Sequence, residues 1–158
     1  MAHLEHADAL AAWVEEGGGL LTLAGYTADE MAVKPASDLL EPLGLGYEYV
    51  GFGAGILGEG DPPTVVPVPA GSASPVLNNV SAVGVFFAYP VVGSGSILLE
   101  SGGYTLAMSQ EQLLGRAIAY ADDYLSLVSE WPLLTQLDQE VFLTNVLTWL
   151  AEPSGCAF

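Results

Sequence analysis

Two adjacent carboxylates, Asp122 and Asp123, stand directly behind the apolar run Arg116 to Ala121. Read as a buried strand, that run delivers both acids to its carboxyl end, where open α/β sheets place their ligands. Paired carboxylates there can hold Ca²⁺ through hard oxygen ligands or work as acid and base, once a second loop supplies a further group. The companions by position are Tyr26, Asp29 and Glu30, which follow a second apolar run, Leu20 to Ala24. Asp122, Asp123 and Glu30 are therefore the candidates for hydrolysis of an uncharged ester or glycoside. Gly25, Tyr26, Asp29 and Arg116 are the candidates for ligand contact. The same residues have a structural use: Asp122 or Asp123 can cap the turn that follows, and Thr27 with Glu30 has capping-box spacing. Spacing alone leaves both uses open.

Other constellations are thinner. His3 and His6 are three apart on one helical face, a metal-ligand spacing, but they sit in a terminal turn. Gly93-Ser94-Gly95-Ser96 echoes a serine elbow without a histidine partner, and a turn between strands explains it. Gly51 to Gly55 lacks the Lys and the following helix of a phosphate loop. The single cysteine, Cys156, rules out an internal disulfide, and no metal ligand set emerges.

Charge narrows the partners. Nineteen Asp and Glu face two cationic residues, Lys34 and Arg116, for a formal net charge of −17. Such a field repels phosphate backbones and anionic lipid, so nucleic acid is excluded, while a protein or carbohydrate ligand fits. No run reaches the roughly 18–20 apolar residues of a membrane span, and the first ten residues lack the basic region and apolar core of a signal peptide. The compartment is unassigned, with an extracellular or periplasmic origin open. No cofactor is implied beyond Ca²⁺ at the paired carboxylates.

The elements that would position these residues can be read from periodicity. An amphipathic helix over 4–16 carries Leu4, Ala7, Leu10, Ala11 and Val14 on one stripe, and Gly17, Gly18 and Gly19 end it. Leu20 to Ala24, short and apolar, reads as a strand buried on both faces of a parallel sheet. A short helix follows Thr27 and is limited by Pro35; a second, capped by Ser37, carries Leu39, Leu40 and Leu43 and stops at Gly44. Tyr47 to Phe52 and Val83 to Tyr89 read as strands, and residues 51–74 as a loop-dominated stretch with one strand-like piece, Thr64 to Val68. Ile97 to Leu99 and Tyr104 to Ala107 read as a hairpin about Ser101-Gly102-Gly103. The last long helix spans Leu137 to Ala151, with Leu137, Val141, Phe142, Asn145, Val146, Trp149 and Leu150 on one face. The organisation expected is one α/β domain over 1–152 and a tail over 153–158.

The run AAWVEEGGGLLTLAGY, then DLLEPLGL, SPVLNNVSAVGVFF, GRAIAYADD and VFLTNVLTWL, in that order, resembles the class I glutamine amidotransferase-like superfamily, in its ThuA-like and GldG or intraflagellar-transport-type non-amidase branches. The resemblance covers roughly residues 4–152. It implies a flavodoxin-like three-layer sandwich with a mostly parallel sheet. The cysteine elbow and later histidine of the amidases are absent here: Gly25, Tyr26 and Thr27 follow the first strand, and Asp122 and Asp123 follow the later one. A non-catalytic binding or assembly module is the function this implies, with the hydrolase as the alternative. The strand–helix–strand that usually opens such domains is also missing, which implies a truncated domain or a sheet edge completed by another copy or chain.

Overall fold

The computed structural model describes residues 2–24, 30–49, 63–126, 128, 131 and 137–152, and side chains within these except at 2–5 and 30–32. The chain opens with α1 (Ala2–Glu15), whose buried stripe is Ala7, Ala11 and Val14, and continues into β1 (Gly19–Leu23). Then come α2 (Glu30–Leu40), a 3₁₀ turn (Glu41–Leu43) and β2 (Leu45–Tyr47). Strands β3 (Thr64–Pro67), β4 (Ala82–Val85), β5 (Val91–Gly93), β6 (Ser96–Ser101), β7 (Tyr104–Gln112) and β8 (Gly115–Tyr120) follow, and α3 (Gln139–Ala151) closes the described chain.

The central sheet has four strands in the order β1-β8-β7-β6; β2 pairs with β5, and β3 with β4. Only β1 and β8 run parallel; every other pairing is antiparallel. This overturns the flavodoxin-like, mostly parallel sandwich. The physical cause is connection length, since a parallel crossover needs a dozen or more residues and a hairpin needs two. Gly102-Gly103, with φ of 59° and 81°, joins β6 to β7, and Leu113-Leu114, with Leu113 at φ 50°, joins β7 to β8. Two such turns in succession force a meander. Gly115 starts β8 without a side chain where the carbonyl of Val14 lies, so the end of α1 sits directly on the sheet.

Strand β1 is not buried on both faces: it ends the strand order, and all five of its residues are half-buried. Pro35 does not limit a helix, because α2 runs through it. Proline forfeits one backbone bond there. Burial of Val33 and Leu40 offsets that loss, and so does Ser37, which caps nothing and instead ties α2 to β2. Its hydroxyl donates to the Tyr47 carbonyl at 3.0 Å and accepts from the Tyr47 amide at 2.8 Å. The strand read from Val83 to Tyr89 ends at Val85, because the amides of Phe86 and Phe87 turn to a side chain rather than a neighbouring strand.

One face of β8 meets α3. Tyr120 lies 5.6 Å from Phe142 between ring centroids, and Arg116 lies over Trp149 at 4.9 Å. By register, Ser109 faces Ile118 and Glu111 faces Arg116 across β7 and β8, so Ser109 and Glu111 share the α3 side of the sheet. Among the described residues no helix is long and apolar enough to cross a membrane.

Candidate functional site

Asp122 lies two residues beyond the end of β8, at 1% exposure. Its Oδ2 accepts the amides of Phe86 and Phe87, the latter at 2.8 Å, and its Oδ1 accepts the Tyr124 amide at 2.8 Å. The i to i+2 contact opens a 3₁₀ turn (Tyr124–Ser126), as short acidic side chains do, and the other two hold the bend after β4 against β8. Burial pushes the carboxyl up to about 7 against the pull of these amides, and the neighbouring Asp123 adds to the rise. Asp123 is half-buried; its carbonyl, not its carboxylate, accepts the Ser126 hydroxyl at 2.7 Å.

Around this corner the polar groups close on one another. Gln139, at 1% exposure, copies a strand: its Oε1 accepts the Gly84 amide at 3.0 Å and its Nε2 donates to the Gly84 carbonyl at 3.2 Å. The Tyr120 hydroxyl donates to the same carbonyl at 3.1 Å, and burial raises that phenol's pKa. Asp138 accepts the Ser81 amide at 2.7 Å, so the start of α3 seals the edge of β4 that β3 leaves open. Neither Gln139 nor Asp138 was singled out from sequence; a polar pair at a helix start carries no sign of the strand it will mimic.

Gly25, Tyr26 and Asp29 lie outside the described residues, as does the side chain of Glu30, so their approach to Asp122 is not described. Arg116 stands at the opposite end of β8, roughly 20 Å away at about 3.3 Å per residue. Its Nη1 donates to the Trp149 carbonyl at 2.7 Å and lies 3.9 Å from Glu152, so it neutralises the end of α3. Among the described residues its buried Nε has no partner. Lys34 is exposed and paired with Asp38 at 2.6 Å, beside a hollow of about 220 Å³ that Ser37, Tyr47 and Tyr49 also line. Among the described residues no group of three His, Cys, Asp or Glu could hold a metal.

A larger space opens elsewhere. A groove of about 590 Å³ lies on the α3 side of β6 and β7, between Trp149 and the loop over 69–75. Its apolar walls include Pro69, Pro75, Leu77 and Leu98; its polar groups include Ser96, Ser109, Glu100 and Glu111. Ser96 and Ser109 face each other across the ladder. Ser109 is only 9% exposed, and among the described residues its hydroxyl has no hydrogen-bond partner. Glu100 and Glu111 are exposed and have no ion pair there. The signal for this site is the polar tail of β7, Ser109-Gln110-Glu111-Gln112, which prolongs the strand beyond its apolar part.

Neither a family model nor a curated protein matches this chain. Solved structures do. The chain is similar to the cytoplasmic protein STM1381 of Salmonella typhimurium LT2, at 18% identity and a TM-score of 0.60, over 92% of this chain and 60% of that one. It is equally similar to the cytoplasmic protein STM3548 of Salmonella typhimurium, at 17% identity and a TM-score of 0.60, over 91% of this chain and 59% of that one. The likeness is one of fold, and the chain spans about 60% of the length of these neighbours.

Proposed function

We propose that the chain is a non-catalytic ligand-binding module whose site is the groove on β6 and β7. The observation that carries this reading is the groove over β6 and β7 itself, on which the hydroxyl of the largely buried Ser109 opens with no hydrogen-bond partner among the described residues, free to meet a ligand's polar group in place of water. A volume of about 590 Å³ with apolar walls and a few polar groups suits a small molecule. The net charge of −17 selects uncharged or cationic ligands over anions. At the other candidate, the Asp122 carboxylate is spent on backbone amides and shielded from solvent, which disfavours its use on a substrate.

The hydrolase alternative draws on one observation, the lifted pKa of Asp122, a trait of catalytic acids. Amide chemical-shift mapping with neutral oligosaccharides and with amines separates the two readings. Shifts confined to β6, β7 and the Trp149 indole are expected. Turnover of nitrophenyl esters or glycosides, abolished in a folded Asp122→Asn variant, overturns the binding module in favour of the hydrolase.

A further inference from the structure

The groove's charges have a particular layout. Glu100 pairs with Thr105 in the ladder, and Glu111 lies six residues further along β7, with Ser96 and Ser109 between them. At about 3.4 Å per residue the two glutamates stand roughly 20 Å apart between α-carbons, one at each end of the groove. Strand alternation puts Thr105, Ser109 and Glu111 on one face, and the cross-strand partners Glu100 and Ser96 join them there. A separation of that size excludes a single metal ion bridging both carboxylates, because hard cations take oxygen ligands at about 2.0–2.6 Å.

Among the described residues neither glutamate makes an ion pair. The chain has two cationic residues; Lys34 is committed to Asp38, and Arg116, although opposite Glu111 in register, gives its Nη1 to the Trp149 carbonyl. Two carboxylates at the ends of a partly apolar trough, inside the field of a −17 protein, raise the local concentration of cations. Between them the walls offer Pro69, Pro75, Leu77 and Leu98 to methylene stems, and the Ser109 hydroxyl accepts from a donor near the middle.

We infer that the groove takes a linear aliphatic polyamine lying along β6 and β7, its terminal ammonium groups at Glu100 and Glu111 and an inner nitrogen at Ser109. The inference rests on the groove being the ligand site and specifies which ligand class fills it.

The test is isothermal titration of spermine and of 1,4-diaminobutane into the full chain at low and at physiological salt. The variants are Glu100→Gln, Glu111→Gln and Ser109→Ala, with Glu140→Gln, exposed in the first turn of α3, as the control. Spermine binds about tenfold or more tightly than the short diamine, since only the longer ligand reaches both carboxylates. Glu100→Gln and Glu111→Gln each weaken spermine by about tenfold, the equivalent of about 1.4 kcal/mol. Glu140→Gln leaves it unchanged. Equal losses at all three glutamates reduce the effect to a counter-ion atmosphere and overturn the inference. So does tighter capture of an extended Lys-Ser-Ser-Ser-Lys peptide, which makes the occupant a protein segment. A neutral oligosaccharide whose binding needs Ser109 but neither glutamate overturns the polyamine while keeping the groove. Shifts with every probe that avoid β6 and β7 overturn both.

Discussion

The carboxyl end of β8 and the groove on β6 and β7 both carry carboxylates on the same four-stranded sheet, yet they use them in opposite ways. Asp122 is buried and holds amides from two separate segments, whereas Glu100 and Glu111 are exposed and their carboxylates make no hydrogen bond or ion pair among the described residues. The difference is one of supply. At the end of β8 the bend after β4 and the turn after Asp122 present amides that have lost their strand partners, and a buried amide must find an acceptor. Along β7 the ladders to β6 and β8 pair the backbone on both sides, and among the described residues the carboxylates of Glu100 and Glu111 accept no amide. A carboxylate's role here follows from whether nearby backbone is satisfied, not from its place at a strand end.

Removing the Asp122 carboxylate tests the first half of that contrast hardest. Asp122→Ala strips three amides of their acceptor, one buried and two part-buried, and at about 1–3 kcal/mol for each orphaned group the loss is about 4 kcal/mol, allowing for solvent reaching the outer two. Asp123→Ala, one residue on, costs less than about 1 kcal/mol, because its carboxylate makes no hydrogen bond among the described residues. Urea denaturation reads both. Equal costs would place the anchoring in the Asp-Asp pair as a unit and break the comparison.

The pH dependence of stability sharpens it. An unfolded aspartate titrates near pH 3.9, and folding lifts Asp122 to about 7, so the native state holds this proton the more tightly. The stabilisation that proton gives is complete below about pH 4 and drains away as pH rises through 7. At about 1.4 kcal/mol per pH unit the fall is about 4 kcal/mol at most. Asp122→Asn lowers stability at every pH, since its NH₂ meets an amide N–H, but it lacks this slope. Subtracting its pH profile from that of the native chain isolates the Asp122 contribution. A difference that is flat from pH 4 to 7 means the amides hold the carboxylate charged throughout.

Much of the framework was legible, and what was missed has a common cause. The α1 stripe of Ala7, Ala11 and Val14, the hairpin about Gly102-Gly103 and the buried face of α3 all follow from local periodicity and turn chemistry, which act within a few residues. The sheet's direction depends on a two-residue turn at Leu113-Leu114, whose bulky apolar residues give none of the glycine or asparagine signal of a hairpin. Pro35 within α2 and the end of β4 at Val85 were misread because contacts distant in sequence override local preference: Ser37 to Tyr47 in one case, Asp122 to Phe86 and Phe87 in the other. Asp122 stood out from its spacing, but its three partners did not. Ser109 lies beyond the strand read over Tyr104 to Ala107, and only the register with Ser96 places it in the groove.

The smallest expected effect completes the comparison from the other side. If Glu100 and Glu111 serve only an external ligand, replacing them leaves the unliganded fold untouched. Glu100→Gln removes one negative charge from a chain at −17 and deletes no hydrogen bond or ion pair among the described residues, so relief of self-repulsion raises stability by about a few tenths of a kcal/mol at low salt and by nothing at high salt. Glu111→Gln differs, because Arg116 lies directly across the ladder, and losing that neighbour cancels the relief to within about 0.5 kcal/mol. Thermal unfolding at two salt concentrations is sensitive enough to order the pair. Either variant destabilising the fold by more than about 1 kcal/mol, as loss of a structural acceptor does, would return the groove carboxylates to the class of Asp122 and remove the contrast between the two regions.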